Sequence, residues 1–407
     1  MNQLIKTILM TSMITLISSA ALAHSTAVFA HSTYDNDAPA GPDYVTQAID
    51  SPDNSFPLFY EKLKAARMPY KLAWHDGYSP ELWHSLAKAK AQEIILPYQD
   101  DTPFNPMVID QIDRGSYIAQ KIVFNISHES RVLALMLTPK GSGPFPAALF
   151  LHDHGSRFDI GKEKFVETWG DDARLSSSRE WAHRYFTDRF PGDELAKRGY
   201  VVLSIDALGW GDRSVAGFRT DSQQALASNL FNLGTSFAGI IALDDLRAAK
   251  FLANRPQVDQ SRVASVGFSM GAFRSWQVAA LSEDITASVV DSWMGTMKGL
   301  MVPGNNQLKG QSAFTMLHPY MARYLDYPDV AAIAAPKPML VFAGGLDPLF
   351  PVDSVQNAFD KLHRVWRANG AEDKLHTQIW PNKGHIFTAD MQDAAFNWLD
   401  QQFAVNQ

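Results

Sequence analysis

A serine stands between two glycines at residues 267–271, Gly-Phe-Ser-Met-Gly. Residues 263–266 are small or β-branched and predict a buried strand, and residues 272–280 have helical spacing. A G-x-S-x-G turn between such elements is typical of a nucleophile elbow, which presents the serine hydroxyl at the apex of a strained turn. The pattern predicts Ser269 as a nucleophile, and the alternative is a plain glycine turn between two buried elements.

A serine hydroxyl needs a base to take its proton, and the base needs a carboxylate to orient it. Both residue types follow strands later in the chain. The apolar run 337–343 leads into Asp347, and the strand-like run 375–380 leads into His385. The order of the three predicts a catalytic triad with Ser269 as nucleophile, His385 as base and Asp347 as the orienting acid.

The acid has a second candidate in Asp291, which ends the predicted strand 285–290 on the same edge of the sheet. Some enzymes with this order of residues carry the acid one strand earlier. We favour Asp347, because the glycines before it and the proline after it form a turn that can present a carboxylate.

Backbone amides must stabilise the oxyanion that forms when a serine attacks a carbonyl group. One such amide belongs to the residue after the nucleophile, here Met270, and another to the end of an earlier strand. The apolar run 147–151 ends in His-Asp-His-Gly. We therefore expect the second N–H at His154 or, as an alternative, at Gly155.

Other side chains at predicted strand ends are candidates for the substrate pocket, namely His152, Trp210 and Trp293. His152, Asp153 and His154 could also be metal ligands by residue type. Alternate residues of an extended segment point to opposite sides, so these three alone do not make a metal site. We predict neither a metal nor another cofactor.

The elements that position these residues belong to a chain of 407 residues, of which 46% are hydrophobic and 19% charged. Such a chain can bury a full core. A formal net charge of −7 without basic runs argues against nucleic-acid binding. The chain has no cysteine, which excludes disulfides, a thiol nucleophile and cysteine-ligated metals. No oligomeric state is predicted.

Residues 1–23 have the three parts of a secretory signal peptide, with Lys6 before a largely apolar run from residue 8 and a small-residue ending at Ala23. A second small-residue site allows cleavage as late as residue 30. The alternative is an uncleaved membrane anchor, but the apolar run is short and interrupted by serine and threonine. We expect an exported protein, periplasmic or extracellular, without membrane insertion after cleavage.

Residues 31–115 are predicted as an N-terminal helical extension packed on the catalytic domain, with an irregular leader at 31–54. The domain over 116–405 alternates strands with helices, which predicts an α/β fold with a mostly parallel sheet. The segment 157–197 exceeds the usual strand-to-helix connection and is rich in aromatic and charged residues, so we expect an inserted lid over the site. Residues 226–252 are expected to form one long helix.

The motifs G-F-S-M-G, F-L-H-D-H-G, D-A-L-G-W-G-D-R, G-G-L-D-P-L-F-P and K-G-H together resemble the acetyl xylan esterase-like and dienelactone hydrolase-like branch of the α/β-hydrolase superfamily. The likeness covers residues 117–403. It implies an eight-stranded, mostly parallel sheet with helices on both faces, ester hydrolysis without a cofactor, and Ser269, Asp347 and His385 as the triad. Dienelactone hydrolases themselves use cysteine, and Asp153 stands where related loops often have glycine.

Three classes of function fit these features. The first is a secreted serine hydrolase that cleaves carboxylic esters, either acyl (acetyl-type) esters of carbohydrates or other small polar esters. The second is a serine peptidase of the prolyl oligopeptidase type, which shares the elbow and has a large N-terminal propeller. This chain has too few predicted N-terminal strands to form such a propeller. The third is a non-catalytic binding protein on the same scaffold, which the complete set of catalytic residue types disfavours.

Overall fold

The computed structural model describes residues 58–214, 220–302 and 314–405. The predicted signal peptide and the leader at 31–54 lie outside these ranges. The β-strands are β1 (Met107–Asp113), β2 (Tyr117–Asn125), β3 (Arg131–Pro139), β4 (Phe145–Leu151), β5 (Val201–Ile205), β6 (Val258–Phe268), β7 (Ala287–Asp291), β8 (Met339–Gly344) and β9 (Leu375–Trp380). The α-helices are α1 (Leu58–Arg67), α2 (Pro80–Ile95), α3 (Asp172–Tyr185), α4 (Pro191–Lys197), α5 (Thr220–Asn232), α6 (Phe237–Ala253), α7 (Met270–Leu281), α8 (Met297–Leu300), α9 (Tyr327–Ala332), α10 (Val352–Ala368) and α11 (Ala389–Gln402).

Within the described ranges, nine strands form one sheet in the order β1-β2-β3-β5-β4-β6-β7-β8-β9. The pairs β1–β2, β2–β3 and β3–β5 are antiparallel. The other five pairs, β5–β4, β4–β6, β6–β7, β7–β8 and β8–β9, are parallel. The central parallel strands are buried along nearly their whole length, as expected of apolar runs covered by helices on both faces. The carboxyl ends of the parallel strands share one edge, where an α/β sheet binds its ligands.

The sheet has one strand more than the eight that were predicted. Strand β1 lies inside the segment predicted as a helical extension, and it pairs with β2 from Met107 opposite Val123 to Asp113 opposite Ile118. Six of its seven residues are exposed. An edge strand with both faces in water lacks the alternation of apolar and polar residues by which strands are predicted.

The helix predicted over residues 226–252 is in fact two helices, α5 and α6. Gly234 lies between them with a φ of 77°, and the Ser236 side chain caps α6 by accepting a hydrogen bond from the N–H of Gly239. In the described ranges no single helix meets the length and hydropathy needed to cross a membrane, although α5 from Gln223 together with α6 does so on length and composition as a pair bent by 92°.

Apolar side chains pack against both faces of the sheet. On one face the core extends to helix α2, where Trp83, Ala87, Ala91 and Ile95 are fully buried. Their four-residue spacing puts them on one side of the helix. The indole of Trp83 also donates a hydrogen bond to the carbonyl of Leu72 at 2.8 Å. Helix α2 therefore shares the hydrophobic core of the sheet.

Candidate active site

The predicted elbow is a tight turn between β6 and α7, with Ser269 at its apex. Ser269 has a φ of 55°, in the left-handed region that residues other than glycine rarely adopt. A Cβ atom at Gly271 would lie 1.7 Å from the carbonyl oxygen of Leu151, and one at Gly267 would lie 2.0 Å from the carbonyl oxygen of Gly271. The glycines thus allow α7 to approach the end of β4 and the loop at residues 152–156 that follows it, which we call the β4 loop.

Side chains from three strand ends form one hydrogen-bonded row. His385 Nε2 lies 2.8 Å from Ser269 Oγ, and His385 Nδ1 lies 2.7 Å from Asp347 Oδ2. The other carboxylate oxygen of Asp347 accepts a hydrogen bond from the Leu349 N–H at 2.9 Å. When the Nδ1–H group donates a hydrogen bond to the carboxylate, the lone pair of Nε2 faces the serine hydroxyl, and this is the tautomer that a general base needs.

Asp291 lies beside this row and does not join it. Its backbone carbonyl accepts a hydrogen bond from the Ser269 N–H at 2.9 Å, but its carboxylate oxygens have no partner within the described ranges. Complete burial, together with the negative charge of Asp347, raises the pKa of Asp291 well above the ordinary aspartate value. Of the two candidate acids, Asp347 is the one in contact with His385.

Ser269 and His385 border a cavity of about 220 Å³. The β4 loop forms one part of its wall, and aromatic or apolar side chains form another, namely Trp181 and Tyr185 of α3, Phe268, Met316 and Leu349. A wider surface groove of about 790 Å³ runs past Lys361 and Arg364, but the Ser269–His385 pair lies outside it. We therefore regard the smaller cavity as the site of chemistry.

Backbone N–H groups without a partner in the described ranges lie at the cavity that Ser269 borders. The N–H groups of His154 and Gly155, in the β4 loop that borders the cavity, have no hydrogen-bond partner within residues 58–214, 220–302 and 314–405. The N–H of Met270 is the first of helix α7, so it has no acceptor in its own helix. Unpaired N–H groups beside a nucleophile are what an oxyanion hole requires.

The three predicted pocket residues do not line the cavity. His152, Trp210 and Trp293 are all at most 2% exposed. The Trp210 indole donates to the carbonyl oxygen of His154 at 3.0 Å, and the Trp293 indole lies 2.8 Å from the sulfur of Met316. The prediction that they form the pocket wall is wrong, because the lid and the loops beyond the strand ends cover these side chains and place them behind the wall.

The side chains considered as metal ligands have partners within the protein. The Asp153 carboxylate accepts hydrogen bonds from Trp181 Nε1 at 3.1 Å and from Lys164 Nζ at 3.1 Å. His154 Nε2 lies 3.1 Å from Gln223 Oε1, and burial lowers the pKa of His154 to about 4. Within the described part of the chain, no three histidine or carboxylate side chains are grouped to hold a metal ion.

Two lysines of the segment 157–197, for which the sequence predicts no role, are buried. Lys162 Nζ lies 2.7 Å from Asp206 Oδ2 and 2.6 Å from Asp212 Oδ2. Lys164 lies against the β4 loop. The available signal was a charged triplet between apolar residues, Ile-Gly-Lys-Glu-Lys-Phe. Lysine is rarely buried unless it is paired, and the partners are distant in sequence, so the pattern alone could not identify them.

Comparison with known proteins shows what this chain is similar to. A Bacillus subtilis (strain 168) protein, "Putative hydrolase YtaP", is 26% identical over 303 residues, or 74% of this chain and 94% of that protein. The structure of a "putative acetyl xylan esterase" from Bacteroides fragilis NCTC 9343 has a TM-score of 0.62 at 19% identity, covering 79% of this chain and 82% of its own. A glucuronoyl esterase from Solibacter usitatus has a TM-score of 0.60 at 13% identity, covering 83% of this chain and 100% of its own.

At these identities the solved structures show a shared fold. The resemblance to the α/β-hydrolase superfamily that the motifs predicted is confirmed. The model of the Abhydrolase family matches residues 64–379, which is most of the chain. The chain therefore belongs to the Abhydrolase family and has the α/β-hydrolase fold.

Proposed function

We propose that the protein is a serine esterase that cleaves small carboxylic esters, with Ser269 as nucleophile, His385 as general base and acid, and Asp347 as the orienting carboxylate. The observation that carries this proposal is the row of hydrogen bonds from Asp347 through His385 to Ser269, at 2.7 and 2.8 Å, beside a cavity. Family membership and the fold shared with esterases support the same reaction class.

The geometry supports acyl transfer in two steps. His385 Nε2 takes the proton of Ser269 Oγ as the oxygen attacks the ester carbonyl, and a tetrahedral intermediate forms. His385 then gives this proton to the leaving alcohol oxygen as the C–O bond breaks, which leaves an acyl-serine. A water molecule, deprotonated by His385, then attacks the acyl-serine. The bond to Ser269 Oγ breaks, His385 returns the proton to this oxygen, and the carboxylic acid is released. Asp347 stays ionised and stabilises the imidazolium in both steps.

The negative charge on the carbonyl oxygen needs donors in place before the reaction begins. We assign this role to the N–H of Met270 and to an N–H of the β4 loop, from His154 or Gly155. Support comes from their lack of partners within the described ranges and from the position of the β4 loop on the cavity wall. Removing one such donor typically lowers kcat by about 100- to 1000-fold.

The cavity favours a small acyl group, and we propose acetyl-type esters of carbohydrates as the substrate class. About 220 Å³ leaves little room for a long acyl chain, and the aromatic residues Trp181 and Tyr185 on the wall suit contact with a sugar. Acetyl xylan esterase and glucuronoyl esterase are the names of proteins with the same fold. The N-terminal signal pattern at residues 1–23 supports a periplasmic or extracellular enzyme.

The test compares wild-type protein with Ser269→Ala on acetylated sugars, methyl glucuronate and p-nitrophenyl esters of increasing chain length. Ser261→Ala, at the exposed start of the same strand, is the matched control. We expect Ser269→Ala to fold and to lose turnover by a factor on the order of a million, and Ser261→Ala to keep it. A fluorophosphonate probe should label Ser269 alone. Esterase activity that survives Ser269→Ala would refute the assignment of the nucleophile.

A further inference from the structure

Lys164 lies behind the β4 loop with its ammonium group withdrawn from solvent. The side chain is 0% exposed, and its Nζ lies 3.1 Å from Asp153 Oδ2. The same nitrogen donates to the carbonyl oxygens of Asp153 and His154 at 2.9 and 3.2 Å. It also lies 4.6 Å from the centre of the Trp181 ring. Burying an ammonium group costs free energy, which the ion pair with Asp153 offsets in part. That ion pair could form without the two backbone carbonyls, so their contact with Lys164 needs a separate explanation.

The two carbonyls belong to peptide groups at the edge of the cavity. The oxygen of Asp153 shares its peptide group with the N–H of His154, and the oxygen of His154 shares its peptide group with the N–H of Gly155. In a trans peptide the C=O and N–H bonds point in opposite directions, so oxygens held at Lys164 turn the N–H groups away from it. These are the same N–H groups that lack partners within the described ranges.

Each carbonyl oxygen also accepts a hydrogen bond from a buried ring. His152 Nε2 accepts from the Ala207 N–H at 2.9 Å, so its proton is on Nδ1, which donates to the Asp153 oxygen at 2.9 Å. Trp210 Nε1 donates to the His154 oxygen at 3.0 Å. A hydrogen bond accepted by a carbonyl oxygen draws electron density from the N–H of the same peptide through amide resonance. The N–H therefore becomes a stronger donor.

We propose that Lys164 is a positioning residue of the oxyanion hole. Its ammonium group fixes the Asp153 and His154 carbonyls and strengthens the N–H donors on the other side of those peptide groups. His152 and Trp210 hold the same oxygens. The inference rests on the proposed function, because the donors matter only if an oxyanion forms. It applies whether His154 or Gly155 supplies the second N–H, since Lys164 contacts both peptide groups.

A purely structural role for Lys164 gives a different experimental result. Loss of a structural ion pair lowers the stability of the protein and leaves kcat of the folded enzyme unchanged. Weaker oxyanion donors lower kcat and leave KM nearly in place, because they act on the transition state and not on the bound ester.

The test uses Lys164→Met and the double variant Lys164→Met with Asp153→Asn. In the double variant no carboxylate remains unpaired at this position, and the amide oxygen can still accept from Trp181, so the protein should fold even if the single variant does not. With p-nitrophenyl acetate as substrate, we expect kcat to fall by about 10- to 100-fold and KM to change by less than about twofold. Affinity for a phenylboronic acid, whose tetrahedral serine adduct resembles the intermediate, should fall by a similar factor as kcat.

Lys337→Met is the matched control. Its ammonium group also donates to two backbone carbonyls, those of Ala279 and Ser282, at the end of α7 opposite the elbow. We expect this variant to be less stable and to keep kcat. Wild-type kcat and boronate affinity in the folded double variant would overturn the inference and leave the proposed function intact. A wild-type protein that hydrolyses no ester would overturn both.

Discussion

Asp347 and Asp291 follow neighbouring strands, β8 and β7, yet their surroundings give them opposite properties. Asp347 has a hydrogen-bond donor for each oxygen, from His385 and from the backbone of Leu349. Asp291 is fully buried with neither oxygen paired in the described ranges, and Asp347 repels its negative charge. Burial and this repulsion both raise the pKa of Asp291 and so favour its neutral form.

The first prediction separates these two acids by kinetics. Asp347→Asn keeps the shape of the side chain but favours the wrong imidazole tautomer, so kcat/KM should fall by about ten-thousand-fold, as it does for the same change in a serine protease. Asp291→Asn puts a neutral amide of similar shape where burial already disfavours a charged carboxylate, and Asp291 does not contact His385, so kcat/KM should change by less than about threefold. Both values would be measured on one p-nitrophenyl ester. A large loss in Asp291→Asn with a mild loss in Asp347→Asn would mean that the acid is on β7.

The second prediction concerns how stability depends on pH. The pKa of Asp291 is raised in the folded protein, so the folded state keeps a proton that the unfolded chain loses above about pH 4. The contribution of Asp291 to stability is therefore full below that pH and declines as pH rises towards the folded pKa.

Asp291→Asn removes this decline. The free energy of unfolding of the wild type should fall relative to that of the variant by up to about 1.4 kcal/mol per pH unit above pH 4. Urea unfolding between pH 4 and 8 measures the difference, with the exposed Asp373→Asn as control. Parallel pH curves for wild type and Asp291→Asn would show that Asp291 ionises normally.

At the scale of elements, the loop from β8 to α10 performs two tasks. It presents Asp347 to the base, and two residues later it places Leu349 on the cavity wall. The second task uses only the side chain of Leu349, because its contact with Asp347 is made by the backbone. Acyl-group selectivity can therefore be changed here without disturbing the triad.

The third prediction is that Leu349→Ala shifts acyl preference towards longer chains. The shorter side chain enlarges a cavity of about 220 Å³, so the ratio of kcat/KM for butanoate over acetate esters should rise by roughly tenfold. Leu346→Ala, in the same loop but 66% exposed, should leave the ratio unchanged. An unchanged ratio in Leu349→Ala would place the acyl group elsewhere in the site.

The sequence predicted those parts of the site that depend on local pattern. Ser269, Asp347 and His385 follow apolar strands within short, glycine-containing turns, and parallel strands bring their carboxyl ends to one edge. His152 and Trp210 also follow strands, but whether they face the cavity or the layer behind it depends on what covers them. The lid provides that cover through contacts between segments distant in sequence, which no local pattern encodes.

At the scale of the whole molecule, the N-terminal part of the described chain is continuous with the catalytic core. Trp83 of α2 is fully buried in the cluster that also contains residues of α6 and α7, including Phe273 and Trp276. The sequence of α2 has a helical periodicity from which this helix could be predicted. Strand β1, which follows α2 in the chain, could not be predicted, because it is exposed on both faces.

The fourth prediction is that Trp83→Ala destabilises the enzyme without altering its chemistry. Removing a fully buried indole should cost about 3–5 kcal/mol of unfolding free energy. Because Trp83 is not among the residues that border the cavity, kcat of the folded fraction should stay within about twofold. Leu82→Ala, which changes an exposed neighbour in the same helix, is the control. Urea unfolding and esterase assays on the same samples measure both effects, and loss of kcat without loss of stability would contradict the expectation.

The buried charges of Lys162 and Lys164 fasten the lid segment to the strand ends. Lifting this segment would expose the fully buried side chains of Phe165, Val166 and Phe186 to water, so we expect an open form to be scarcely populated. A segment that stays closed cannot open on contact with an oil–water interface, so we expect no interfacial activation. On a sparingly dissolved ester, the rate should follow the concentration of free monomer alone, with no jump when the substrate begins to form micelles.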